Sequence, residues 1–106
     1  MTFACDRQAL SAEQRKRHFE ILLPKLRSVK KSVQELADGY EFGLPGDAAT
    51  LALVSEWVEG ERRCCPFFEI DVESDAEAGA LRVRLTSPQD AKQFIRSELF
   101  QLFDPE

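Results

Sequence analysis

The chain has 106 residues, 43% of them apolar and 31% charged, with 5 glycines and 5 prolines. That gives room for one domain with one core, in an ordinary globular balance that excludes a disordered or fibrous chain. The net charge of −5 offers no general attraction for nucleic acid or anionic lipid, and no apolar run approaches the roughly 20 residues of a membrane span.

The N-terminus lacks the basic segment and apolar stretch of a signal peptide, so the expected location is the cytoplasm. Three cysteines argue against a disulfide framework, and an odd number leaves at least one thiol over. Charge is unevenly spread. Residues 1–31 hold eight Lys/Arg against three acids, whereas residues 32–106 hold six against sixteen. The simplest reading is that the basic segment packs against its own acidic domain. A self-complementary homodimer is the second reading. A phosphate-binding helix is a distant third, because the basic and aromatic interleaving of single-strand binders is missing.

In chain order, Ser11 and Gln14 form a capping box, and Phe19, Leu22, Leu23 and Leu26 recur at helical spacing. The predicted helix spans about residues 12–28, with a kink or early stop at Pro24, whose ring clashes with the carbonyl of Glu20. Asp38-Gly39, flanked by Val33 to Ala37 and by the alternating Tyr40, Phe42 and Leu44, predicts a hairpin closed by a type I′ turn. Asp47 is placed to cap a second helix carrying Leu51, Val54, Trp57, Val58 and Glu61 at helical spacing. Arg62 and Arg63 suit its last turn, and Pro66 stops it near Cys64 by pushing Cys65 out of the α region. A second hairpin follows. Phe68, Ile70 and Val72 alternate with acids, and after the loop Asp75–Gly79, Leu81, Val83 and Leu85 alternate with Arg82 and Arg84. Ser87-Pro88 then opens a final helix with Phe94, Ile95, Leu99, Phe100 and Leu102 as its apolar positions.

Leu44-Pro45-Gly46-Asp47-Ala48 and Ser87-Pro88-Gln89-Asp90-Ala91 lie 43 residues apart. They suggest a ββα unit used twice, over 32–63 and 67–103, within a single domain of residues 1–106 that starts with an N-terminal arm (1–10). The predicted fold is α+β: α-ββα-ββα, a four-stranded antiparallel sheet with helices on one face.

The first unit adds what the second lacks, Glu61-Arg62-Arg63-Cys64-Cys65-Pro66-Phe67. A turn forced by Pro66 brings two sulfurs toward one acceptor. Thiolates are soft ligands that select zinc, copper(I), mercury or arsenic. Cys5 would supply a third sulfur, and His18 or Glu61 would complete a tetrahedral site. Cys-Cys does not match the Cys-x2–4-Cys spacing of structural zinc. Against the metal reading, unpaired cysteine is often mere core; a third reading is thiol redox chemistry. His18 reads as a partly buried structural histidine beside the apolar stripe, and Glu69, Asp71 and Glu73 read as ion-pair partners of the neighbouring arginines. Gly60, costly inside a helix, signals that something approaches the backbone just before the cysteines. No phosphate loop, nucleophile elbow or zinc-protease helix is present, so an enzyme is the less favoured class.

With Ala4-Cys5, Asp38-Gly39-Tyr40 and the Glu-Arg-x-Cys-Cys-Pro-Phe motif, the chain resembles, from about Ala4 to Leu99, a group of small bacterial proteins of unassigned activity. The Cys-Cys-x-Phe portion is also similar to a segment appended to some regulators of the mercury-resistance class. The resemblance implies a thiophilic-metal setting by association, with Cys5, Cys64, Cys65 and His18 matching the group's pattern, and it implies no mechanism. The favoured expectation is a small binding protein for a thiophilic metal or metalloid, with Glu61 and Arg62 orienting the sulfurs. The alternative is a structural or interaction module, a homodimer with its cysteines in the core.

Overall fold

The computed structural model describes residues 6–66, 68–87 and 92–99. A 3₁₀ turn (Arg7–Ala9) leads into α1 (Ala12–Arg17). Ser11 caps α1 as its sequence predicts: its hydroxyl accepts from the Gln14 N–H at 3.1 Å, and its own N–H donates to Gln14 Oε1 at 2.9 Å.

Pro24 does not stop this segment, which runs on to Val29, close to the expected end near residue 28; it is the regular α pattern that changes. The chain widens into a π turn over His18–Leu22, continues directly into α2 (Leu23–Val29), and leaves the helix at Lys30. Within that turn Leu23 N–H donates to the His18 carbonyl, five residues back. The extra residue relieves the clash that a proline ring makes with the carbonyl four positions earlier. It also turns His18 inward, to 2% exposure.

Strands β1 (Ser32–Glu35) and β2 (Gly39–Pro45) pair antiparallel, with Glu35 opposite Tyr40. Their turn is closed by Leu36 N–H to the Gly39 carbonyl at 2.8 Å. The loop is therefore Ala37-Asp38 rather than the expected Asp38-Gly39: Gly39 is already the first residue of β2 and does not take the positive φ that a central position of a type I′ turn requires. Gly39 is needed for another reason: a Cβ there would stand 1.9 Å from the Leu85 carbonyl oxygen.

Asp47 caps α3 (Ala48–Cys64), accepting from the Thr50 N–H at 3.2 Å and from its hydroxyl at 2.6 Å. The helix ends where Pro66 requires, with Cys65 at φ −127°, ψ 71°. β3 (Glu69–Asp75) and β4 (Ala80–Thr86) form the second hairpin, and α4 (Lys92–Glu98) follows. The predicted start of α4 at Pro88 and its positions Phe100 and Leu102 lie outside the described residues.

The protein is α+β: helices plus a four-stranded antiparallel sheet in the order β1-β2-β4-β3, so each hairpin gives its second strand to the centre. Tyr40, Phe42, Leu44, Ile70, Leu81, Val83 and Leu85 are buried with Leu22, Leu23, Leu26, Val54, Trp57, Ile95 and Leu99. Each large apolar side chain taken out of water contributes about 1.5–3 kcal/mol. Leu51, expected in this core, is instead exposed on the outer side of α3. On the opposite face of the sheet, Arg84 pairs with Glu41 at 2.8 Å and Arg82 with Glu73 at 2.9 Å. These are the predicted cross-strand pairs of acid and arginine, except that Arg84 reaches across to β2.

Candidate functional site

The last turns of α3 present two faces. Trp57, Glu61 and Cys64, spaced four and three residues apart, form a buried stripe; residues at such spacing are neighbours on one helix face. A buried glutamate in that stripe calls for a partner, and His18 supplies it. Nε2 of His18 lies 2.8 Å from Oε2 of Glu61, with side-chain exposures of 3% and 1%. The imidazole lies parallel to the Trp57 indole within 2°, at 6.2 Å between centroids, and edge-on to Phe19. Glu61 Oε1 and Trp57 Nε1 are buried without a hydrogen-bond partner among the described residues.

Gly60 explains how the ring fits. A Cβ at residue 60 would stand 2.7 Å from His18 Nδ1 and 3.1 Å from Cε1. The approach that the glycine signalled is therefore the imidazole itself. His18 and Gly60 line a cleft of about 130 Å³, flanked by Arg17, Glu56, Glu59 and Arg63. Arg17 holds Glu56 through two guanidinium N–H groups, and that bond keeps the Glu56 carboxyl below its usual value. Arg63 pairs with Glu59 at 3.1 Å along the helix.

Both Cys64 and Cys65 are 0% exposed and belong to the core. Cys64 keeps its thiol, whereas Cys65 is disulfide-bonded. Cys65 N–H donates to the Glu61 carbonyl at 2.7 Å, and the Cys64 carbonyl accepts from the Asp6 N–H at 2.6 Å. That last bond pins the start of the described chain to the end of α3. Leu10, 5% exposed, lines the same cleft as His18 and Gly60. Arg62, expected to orient the sulfurs, instead donates to the Ile70 carbonyl at 3.0 Å and ties α3 to β3.

Of the residues singled out as ligands, the structure brings His18 to Glu61, and Glu61 onto the buried face that carries Cys64. Cys5 lies outside the described residues. Among the described residues no group of three or more His, Cys, Asp and Glu is placed to hold a metal ion. His18 is wholly rather than partly buried, and it bonds to Glu61 rather than standing as a separate ligand. The pairing was missed in the sequence, although Glu61 at an apolar position beside Gly60 was the available signal.

Among the described residues no helix is long and apolar enough to cross a membrane. The class defined by fold and site is a small α+β domain with a vicinal cysteine pair at a helix-to-strand corner. No family model, curated protein or solved structure matches the chain.

Proposed function

We propose that this chain, once the Cys65 disulfide is reduced, is a small cytoplasmic binding protein that takes a thiophilic metal or metalloid ion on Cys64 and Cys65, with Cys5 and Glu61 as further donors. One observation carries the reading. Cys64 is one helical turn beyond Glu61, whose Oε1 is buried without a hydrogen-bond partner among the described residues. Orphaned carboxylate oxygens in a core are costly, and a cation beside two sulfurs would satisfy this one. Soft sulfur donors favour zinc, copper(I), mercury(II) or arsenic(III). In this reading His18 supports Glu61 from behind, as outer partners of ligands do.

The test is titration of the reduced protein with these four ions against a competing chelator, followed by native mass spectrometry. One ion per chain, lost in both Cys64→Ser and Cys65→Ser, supports the reading; binding no tighter than to a simple dithiol contradicts it.

The complete burial of both cysteines favours a second reading, an interaction module in which they are packing and the unequal charge of the two chain segments sets a homodimer interface. In that case the serine variants lose stability, and no ion is held.

A further inference from the structure

The bond to Glu61 occupies one nitrogen of the His18 imidazole. A carboxylate only accepts, so Glu61 at 2.8 Å places the ring proton on Nε2 and leaves Nδ1 with its lone pair. Nδ1 is the atom turned toward residue 60, where the lack of a side chain keeps it uncovered: a Cβ there would stand 2.7 Å away. His18 is 2% exposed, and with Gly60 it lines the cleft between the first helical segment and α3. A buried acceptor of fixed direction thus borders a surface hollow, which is how polar groups in ligand pockets are arranged. We propose that this cleft binds a small neutral primary amide, whose N–H donates to His18 Nδ1 and whose carbonyl accepts from Arg63.

Size, charge and polarity each bear on the ligand. A cavity of about 150 Å³ holds a benzene-sized molecule. The cleft, at about 130 Å³, therefore admits a ligand of about four to six non-hydrogen atoms. The four charges around it cancel in pairs: Arg17 binds Glu56 through two N–H groups, and Arg63 binds Glu59 at 3.1 Å. A charged ligand finds no unbalanced partner there, and the Glu61 carboxylate behind the ring disfavours an anion.

An acceptor nitrogen at the floor and a guanidinium at the lip call for a donor and an acceptor side by side on one molecule. A primary amide carries both. Arg63 turns to the carbonyl at small cost, because its pair with Glu59 joins two exposed side chains. Leu10 and Leu22 give the apolar end of the amide a wall. The amide site and the ion site are separate: neither Cys64 nor Cys65 lines the cleft, so either site stands without the other.

Acetamide, acetate and acetamidinium share one planar frame and differ in charge. Each is titrated into the reduced, metal-free chain at mildly alkaline pH, where imidazole is ordinarily neutral. The ring nitrogen resonances of His18, the single histidine of the chain, are followed. Acetamide is expected to shift Nδ1 with saturation and to bind at least about tenfold tighter than either ion, the worth of one well-made hydrogen bond. Gly60→Ala, which sets a methyl against Nδ1, should abolish the shift. Arg63→Met, a change at an exposed position that leaves the fold intact, should weaken acetamide about tenfold, and it decides alone if Gly60→Ala fails to fold. An Nδ1 shift that never saturates, equal binding of the three probes, tightest binding of a charged one, or undiminished binding by Arg63→Met overturns the amide site.

Discussion

At residue 60 two effects of opposite sign meet. Alanine in place of a mid-helix glycine gains about 1 kcal/mol of helix propensity. Here, however, its Cβ would press to 2.7 Å from His18 Nδ1, and overpacking a core costs about 1–3 kcal/mol. The imidazole has no room to yield, because Glu61 holds its far nitrogen at 2.8 Å. Gly60→Ala is therefore expected to destabilise the native chain. In a His18→Ala background the obstacle is gone, and the same change should stabilise by about 1 kcal/mol. Urea unfolding of the four chains of this cycle reads the sign directly. A stabilising Gly60→Ala in the native background would mean that the imidazole does not press on residue 60.

At the scale of elements, most boundaries were legible because they follow from backbone chemistry. Ser11 and Asp47 cap their helices, Pro66 ends α3, and the alternation in β2 and β4 marks their buried faces. Two features were not legible. The Asp38-Gly39 turn was misread because Gly39 answers to a neighbouring strand rather than to its own φ, and a strand that arrives 46 residues later leaves no local trace. The π turn was not foreseen behind the expected kink or early stop, because proline chemistry says only that the α pattern fails at Pro24, not how the chain recovers. That turn carries His18 to Glu61, so the heart of the candidate site was hidden while its members were named. Pro24→Ala restores the missing N–H donor, and the helix is then expected to tighten to a regular α turn and draw His18 away from Glu61. The imidazole nitrogen resonances read the outcome: loss of the His18–Glu61 hydrogen bond is predicted, and an unchanged histidine spectrum would show that proline does not cause the turn.

On the scale of the molecule, four carboxylates among the described residues are held below their ordinary values: Glu35 by a bond from Lys92, Asp47 by the Thr50 hydroxyl, Glu56 by Arg17, and Asp75 by the Ala78 N–H. A carboxyl with a depressed value in the folded state releases its proton more readily there than in the unfolded chain. Its contribution is complete above the unfolded value and is lost as pH falls through the folded one. With ordinary values of 3.8 for aspartate and 4.5 for glutamate, these groups predict a flat melting temperature above about pH 5 and a progressive fall below pH 4. Asp47→Asn should reduce the steepness of that fall. A melting temperature that rises on acidification would contradict the assignment. The ion pairs of the open sheet face are surface contacts, each worth about 0–1 kcal/mol, so the helix caps and the core set the stability at neutral pH.

The central claim is that sulfur from the vicinal pair holds the ion, and X-ray absorption at the edge of the bound element tests it most directly. The reduced chain is loaded with zinc or arsenite, desalted and measured beside Cys64→Ser. The account predicts a retained ion with a first shell dominated by sulfur, which loses a sulfur scatterer in the variant. A shell of nitrogen and oxygen alone, or a chain that emerges from desalting without its ion, would mean that Cys64 and Cys65 are core residues and nothing more.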